Sequence, residues 1–418
     1  MNNVVGIVAE LNPIHYGHCY LMEEARKSAS AEAVVCVMSG NFVQRGAPAL
    51  YDKWERTAMA LECGADLIIE IPTVFCLGNA SVYARAGVQL LESMGVVTHL
   101  ACGSETGDVD MLSRIANLLN TRQGEIERQI RACISDGFSY PAARQRVIEE
   151  MLSVNLDEYT SPNDILALEY LRNIRTLQPL AIPRIGAAYH DANSFHEKLY
   201  SSTAVRAALY RNQLRPHSVP WNPMKHPLPQ RTIDRSKAAS GEEDTSGTSS
   251  VAETRDAIEA RWFDLIRYRI LSVSPAELDE APGGGEGLGY RLQMAARSAS
   301  SIDELILAVK SKRYTYTRIS RWLYQILLGI RREDQLIAPE YLRVLGFNDR
   351  GREILRTSKH EEKNSLPYIE NVNRWQGFSK QLDMDIHASD VYNLVGGNDI
   401  RESSDYCRKL MIHSSIKC

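Results

Sequence analysis

Over the first 110 residues, short apolar runs alternate with longer stretches of helical period. "VVGIVAE" (4–10), "AVVCVMSG" (33–40), "ADLIIEIP" (65–72) and "VVTHLACGSE" (96–105) are rich in β-branched residues and bounded by Gly or Pro. Continuous apolar runs of this length suit strands buried on both faces, as in a parallel sheet. Between them, Gly17 to Ala29, Lys53 to Cys63 and Ser81 to Met94 read as helices. Strand and helix in alternation predict an α/β fold with a doubly wound parallel sheet, Rossmann-like, with right-handed crossovers. A helix near Asp164 to Ile174, a strand near Arg184 to Tyr189 and a helix after Ser202 extend the pattern. The first unit therefore covers 1–213.

From Leu214 the pattern dissolves. "RPHSVPWNPMKHPLPQ" is too rich in proline for a regular element, and "SKAASGEEDTSGTSS" (236–250) is too polar and small to bury a core. Residues 214–255 are expected to form a linker or mobile loop. Period returns in "RDAIEARWFDLIRYRIL", where Ile258, Trp262, Leu265, Ile266 and Ile270 share a helical face. Residues 256–418 are thus expected to be a mainly α-helical second domain, dominated by helices through Arg356, with the tail after Glu361 unassigned. No internal repeat is visible.

Length, 418 residues, suits two or three domains, and a 44% apolar, 24% charged composition suits an ordinary globular protein. The net charge of −4 means that any nucleic acid must be held by a local basic patch. Val4 to Ala9 is too short for a signal peptide, and no run approaches the ~20 residues of a membrane span. The eight cysteines show no CxxC pair. A cytoplasmic location without disulfides or structural zinc is expected.

The chemistry begins at "ELNPIHYGHCYLMEEA" (10–25), where His15 and His18 flank Tyr16-Gly17 as a strand gives way to a helix. Free backbone N–H groups and the positive helix end face a ligand there, and imidazoles can donate to phosphate oxygens. A lone His in such a place is more often structural; two at this junction point to an anion. "YSSTAVRAAL" (200–209) adds Ser202, Thr203 and Arg206 at a helix start. Hydroxyls there are usually caps, but an Arg one turn on can grip phosphate in a bidentate fork.

Together these segments resemble the two phosphate-binding motifs of the HIGH-type nucleotidyltransferase superfamily. The blocks "GIVAELNPIHYGH", "VMSGNFVQRGAPAL", "KWERTAMALECGADLIIEIP", "CGSE", "SPNDILALEYL", "RIGAAYHD", "SSTAVR" and "KSKRYTYTRISRWLYQILLGI" follow the order of one family within it. The sequence resembles the bacterial tRNA(Met) cytidine acetate ligase family, densely through Leu209 and more sparsely over 286–355.

The resemblance implies an enzyme that activates acetate with ATP as acetyl-adenylate. It then transfers the acetyl group to N4 of the wobble cytidine of elongator tRNA(Met), without coenzyme A and without a membrane. It also implies an ATP cradle from Gly6 through Ile7, Val8, Ala9, Glu10, Leu11, Asn12, Pro13, Ile14, His15, Tyr16, Gly17 and His18 to Cys19 and Tyr20. Gly103, Asn163, Arg184, Ile185, Ser202, Thr203 and Arg206 complete it, with His15, His18 and Arg206 catalytic. Asp164 stands where the family leads one to expect Asn. Magnesium is expected with the nucleotide, with no dedicated metal ligands in the chain. Asn41, Gln44, Arg45, Lys53 and Arg56 are candidates to orient acetate or the tRNA backbone, or are simply surface charge.

Residues 310–332 hold seven basic residues and no acidic one. Lys310, Lys312, Arg313 and Arg318 are the candidates for RNA phosphates, while Trp322 keeps core spacing. An enzyme adenylylating a small metabolite and a non-catalytic RNA-binding protein are the rival readings; pyrophosphate exchange with and without acetate separates them.

Overall fold

The computed structural model describes residues 3–138, 140–184, 205–206, 249–361 and 364–413. The β-branched run at its start forms β1 (Val4–Ala9), which pairs in parallel with β2 (Ala33–Ser39) on one side and β6 (His99–Ser104) on the other. A small antiparallel pair, β3 (Phe42–Val43) and β4 (Ala47–Pro48), follows β2, and β5 (Leu67–Ile71) extends the sheet. Beyond β6 lies β7 (Gln178–Pro183), a strand the sequence pattern leaves unassigned; of the strand expected at 184–189 only Arg184 is among the described residues, and it lies just past β7.

Alternate side chains along each strand enter opposite cores. Val4, Val8, Val35, Val37, Leu67 and Ile69 face one layer; Val5, Ile7, Val34, Cys36, Met38 and Ile68 face the other. This two-sided burial produced the continuous apolar runs. The helices α1 (Tyr16–Ser28), α2 (Lys53–Glu62), α3 (Thr73–Cys76) and α4 (Ala80–Ser93) supply the layers. A smaller core holds α5 (Val109–Thr121), α6 (Gln123–Ser135), α7 (Tyr140–Leu152) and α8 (Pro162–Asn173), most of which the sequence pattern left unassigned.

The second half departs from the expected two-unit plan. Helices α9 (Ser249–Ser272), α10 (Pro275–Glu280), α11 (Leu288–Ser298), α12 (Ile302–Val309) and α13 (Tyr316–Leu328) are present, but Trp262, Ile266, Leu292 and Trp322 share one core with β1, β2 and β5. The chain then returns to the sheet. β8 (Leu342–Asn348) lies antiparallel against β5, and its outer edge carries both β9 (Tyr368–Ile369) and β10 (Met411–His413). The strand order is β10-β8-β5-β2-β1-β6-β7, mostly parallel. α14 (Asp349–His360), α15 (Lys380–Val395) and α16 (Ile400–Ser403) fill in around these edge strands. "YLRVLGF" passed for helix because it is a single short apolar run, and its central neighbour in the sheet, β5, lies more than 270 residues earlier. The proposed 214–255 linker lies almost wholly outside the described residues.

Among the described residues, no helix is long and apolar enough to cross a membrane. The expectation of no disulfide is corrected. Cys19 on α1 and Cys63 at the end of α2 are bonded, with Cα atoms 5.3 Å apart. Their 44-residue separation gives no sequence signature; the sheet brings the two helices together.

Candidate active site

The junction of β1 and α1 is built by its histidines. His15 is the N-cap of α1: its Nδ1 accepts from the Gly17 N–H at 3.1 Å, while His18 Nδ1 accepts from the His15 N–H at 3.2 Å. The pair forms a capping box in which imidazoles replace the usual hydroxyl and carboxylate. A ring nitrogen that accepts a backbone N–H carries no proton. Each imidazole is therefore the neutral Nε2–H tautomer, with one donor left for a ligand. The rings lie 3.9 Å apart. Gly17 is required by this packing, since a Cβ there would lie 2.9 Å from the His15 ring.

Electrostatics agree with the tautomers. Burial, then Arg184 and Arg206, push His15 down to about 4 from its ordinary 6.5. Burial, His15 and Arg184 hold His18 well below the usual range. Arg206 donates to the Asn12 carbonyl at 2.5 Å, which closes the loop from the far end of the chain's first half. Glu10, at the end of β1, accepts from the Arg45 N–H at 3.1 Å; burial raises its pKa, opposed by Arg45, Arg206 and Arg56. Two imidazole donors with the guanidiniums of Arg184 and Arg206 beside them make an anion site. Among the described residues no cluster of His, Cys, Asp and Glu could hold a metal.

The sign of the pH dependence follows. Between about 6.5 and about 4 the unfolded His15 is protonated while the native one is not, so the unfolded state binds more protons and stability falls as pH drops through that window. The loss amounts to roughly 3 kcal/mol for His15 alone. His15→Asn keeps a capping acceptor without a titrating ring. Its urea midpoint, compared with wild type at pH 7.5 and 5, is expected to show a weaker acid loss; parallel midpoints would contradict the assignment.

The other candidates divide. Gly6, Ile7 and Val8 lie inside the sheet, Gly6 against Leu91, so only the loop after Ala9 reaches the strand ends. Gly103 leaves open space at the end of β6, where an added Cβ would meet only Arg184, at 3.7 Å. Asn163 donates to Glu105 at 2.5 Å, and Arg184 sits 3.8 Å from the same carboxylate. Asp164 is buried at the start of α8, where it accepts from Ser104 and from Ser161 at 2.7 Å; its charge is used internally. Ile185, Ser202 and Thr203 lie outside the described residues.

Asn41, Lys53 and Arg56 are not the surface charges of the alternative reading: all three are buried and bonded to protein groups. Asn41 caps the Lys53 N–H at 2.8 Å. Lys53 Nζ lies 2.9 Å from both Glu70 oxygens and 2.6 Å from Asp405. Arg56 donates to the carbonyls of Tyr51, Glu10, Ser39 and Gly40, and so ties the ends of β1 and β2 together beneath the site. Gln44 and Arg45 remain on the rim.

Helix α13 docks beside this rim. Ser320 Oγ donates to the Gly46 carbonyl at 2.5 Å and Arg321 to the Gln44 carbonyl at 3.3 Å. Gly46 has φ +82°, and a Cβ there would lie 2.4 Å from the Arg321 backbone nitrogen, so the contact demands glycine. Arg321, its pKa lowered to about 10 by burial and then by Arg318, also feels Glu10. Sequence reading passed it over; its place three residues after Arg318, on the same helical face, was the available signal. Lys310, Lys312 and Arg313 are exposed, Arg313 paired with Glu286 at 2.6 Å, and Arg318 stacks 4.7 Å from the Tyr314 ring. Trp322 is fully buried, as its spacing indicated.

A parallel sheet whose first loop offers two neutral imidazoles at a helix start, ringed by arginines, is the arrangement of a nucleotidyltransferase. The chain belongs to the HIGH Nucleotidyl Transferase family, whose model matches residues 1–405. Within it the chain belongs with the tRNA(Met) cytidine acetate ligases, and it is an enzyme of the ligase class. The ligase of that name from Clostridium perfringens is 34% identical over 420 residues, covering 97% of this chain and 98% of the relative. The one from Syntrophomonas wolfei is 35% identical, covering 94% and 95%. The apo structure of Thermotoga maritima TmcAL matches with a TM-score of 0.79 at 27% identity, over 99% of this chain and 100% of the other. The same protein bound with alpha-thio ATP shows the same fold, at a TM-score of 0.77 and 24% identity.

Proposed function

We propose that the protein ligates acetate to N4 of the wobble cytidine of elongator tRNA(Met), and that the paired Nε2–H donors of His15 and His18 carry the first step. An acetate oxygen attacks the α-phosphorus of ATP, and pyrophosphate leaves. The imidazoles and Arg206 stabilise the charge that builds on the phosphate oxygens. The N4 lone pair of cytidine then attacks the acetyl carbon, AMP departs and N4 loses a proton. That amine is a weak nucleophile because its lone pair is delocalised into the ring. A mixed anhydride with AMP supplies the leaving group without coenzyme A. Magnesium fits as a companion of the phosphates, since the donor set suits anions and the site offers no dedicated cluster of metal ligands among the described residues. The reading places the enzyme in the cytoplasm with its RNA.

Incubation with labelled acetate, ATP, magnesium and unmodified elongator tRNA(Met) is expected to give labelled N4-acetylcytidine without coenzyme A. Acetyl-adenylate without modified RNA would refute the acceptor; neither product would refute the chemistry.

The exposed cations of the segment before α13 support the RNA half of this reading. Lys312→Ala/Arg313→Ala is expected to weaken tRNA binding about tenfold and to lower its salt slope by roughly 0.7 per lost contact on unpaired RNA. An unchanged slope would contradict the role of these residues.

A further inference from the structure

The outer edge of β8 is interrupted. β9 pairs with Leu342 and Arg343, and β10 pairs with Gly346 to Asn348, leaving Val344 and Leu345 without an outer strand. Beside this notch is a cavity of about 530 Å³, lined among others by Lys359, Tyr368, Arg374, Trp375, Arg408 and Lys409. Four cations and two aromatic rings meet there. Lys359 is paired with Glu370, and Arg408 lies 3.5 Å from Asp52, the N-cap of α2. No ion pair holds Arg374 or Lys409 among the described residues, and both are exposed.

Two buried donors in this wall lack a partner among the described residues: Trp375 Nε1 and Arg408 Nε. An unmet buried donor costs about 1–3 kcal/mol, and neither an indole nor a guanidinium can accept. A partner for either, a water molecule included, would bring acceptor atoms once the wall opens to admit it. Phosphate oxygens and the carbonyls of a nucleobase are acceptors, and the aromatic faces suit a stacked base.

The place of the cavity identifies the source. Ser39 lies beside Ile71 and Glu70 beside Arg343, while Leu342 lies beside Tyr368. Tyr368 is thus at the same end of the sheet as the loop after β1, while Ile412, beside Phe347 and so Leu67, is toward the other end; the cavity runs along the sheet edge and opens nearest the β1 loop at Tyr368. Four strand steps of about 4.8 Å set the two sites roughly 19 Å apart, the span of a few nucleotides. We infer that this cavity binds an unpaired nucleotide of the same RNA whose cytidine enters the His15–His18 site. The inference rests on the reading above. Base stacking on Trp375 and phosphate contacts from Arg374, Arg408 and Lys409 hold the RNA at a second point, away from α13.

The test uses the full chain. Arg374→Ala/Lys409→Ala is expected to bind elongator tRNA(Met) about tenfold more weakly with a shallower salt slope. Acetate-dependent pyrophosphate exchange and the melting temperature should stay at wild-type values. Trp375→Phe keeps the ring and removes the N–H; it should weaken tRNA binding several-fold. Wild-type tRNA affinity and slope in the folded double variant would overturn the inference alone. A raised KM for ATP with tRNA binding intact would overturn it in favour of a free nucleotide. If the wild-type protein neither binds nor acetylates tRNA, the RNA reading itself falls with it.

Discussion

His18→Ala is expected to lower acetate-dependent ATP–pyrophosphate exchange by at least a hundredfold while leaving tRNA affinity near the wild-type value. Removing one preorganised donor from a developing oxyanion costs about 10²–10³ in rate. His18 is such a donor because its Nδ1 is already occupied by the His15 N–H, which leaves Nε2–H for phosphate. The alanine variant loses a second thing, the acceptor for that backbone N–H, so its loop also loosens. His18→Gln separates the two effects. A glutamine at the third helical position can reach back to the cap as capping boxes do, so stability should recover while exchange stays low. Recovery of exchange in the glutamine variant would show that His18 acts through the cap alone. Unchanged exchange in the alanine variant would end the phosphate role altogether.

The site was legible in sequence where its parts are contiguous. The β1 run, the two histidines and the start of α1 lie within 25 residues, and their periods change where the structure changes. What no spacing announced was the use of Nδ1. The capping role of both rings, and hence their neutral tautomer, depends on backbone geometry that a motif does not encode. Nor does the motif encode why Gly17 stands between them: in the fold it makes room for the His15 ring.

Residues whose partners are distant were misread for a physical reason. Lys53 and Arg56 follow a loop rich in polar residues and look like surface cations. Their partners, Glu70, Asp405 and the backbone carbonyls of Glu10 and Ser39, lie 17 to 352 residues away. The return of β8 was hidden in the same manner, because a seven-residue apolar run has no period long enough to oppose a helical reading. The resemblance covers the blocks in their order, but order alone says nothing of which charges turn inward.

Lys53→Met is expected to cost about 3–5 kcal/mol of stability, since it removes one member of a buried charge cluster and leaves the others uncompensated. The cluster sets Lys53 and Arg343 against Glu70, Asp405 and Asp385, all buried. Two cations facing three carboxyls favour one carboxyl retaining its proton. Burial pushes Glu70 up to about 7, only partly opposed by Lys53, and burial raises Asp385 as well, so the proton is shared within this group of carboxyls and Glu70 is one of its holders. Burial alone would lower the Lys53 ammonium, but Asp405 and Glu70 outweigh it and hold it charged. Glu70→Gln should therefore cost under about 1 kcal/mol, while Asp405→Asn should cost much more. The native Glu70 binds a proton between 4.5 and about 7 that the unfolded one releases, so its contribution falls as pH rises through that window. Glu70→Gln should remove that contribution, readable as a urea midpoint that gains on the wild type between pH 5 and 7.5, whatever the net trend of the wild type. The consequence reaches the active site, because Lys53 opens the helix whose Arg56 grips the ends of β1 and β2. A Lys53→Met protein that unfolds at the wild-type urea midpoint would show that the cluster adds nothing net. One that is destabilised yet keeps a wild-type KM for ATP would show that α2 does not hold the cradle.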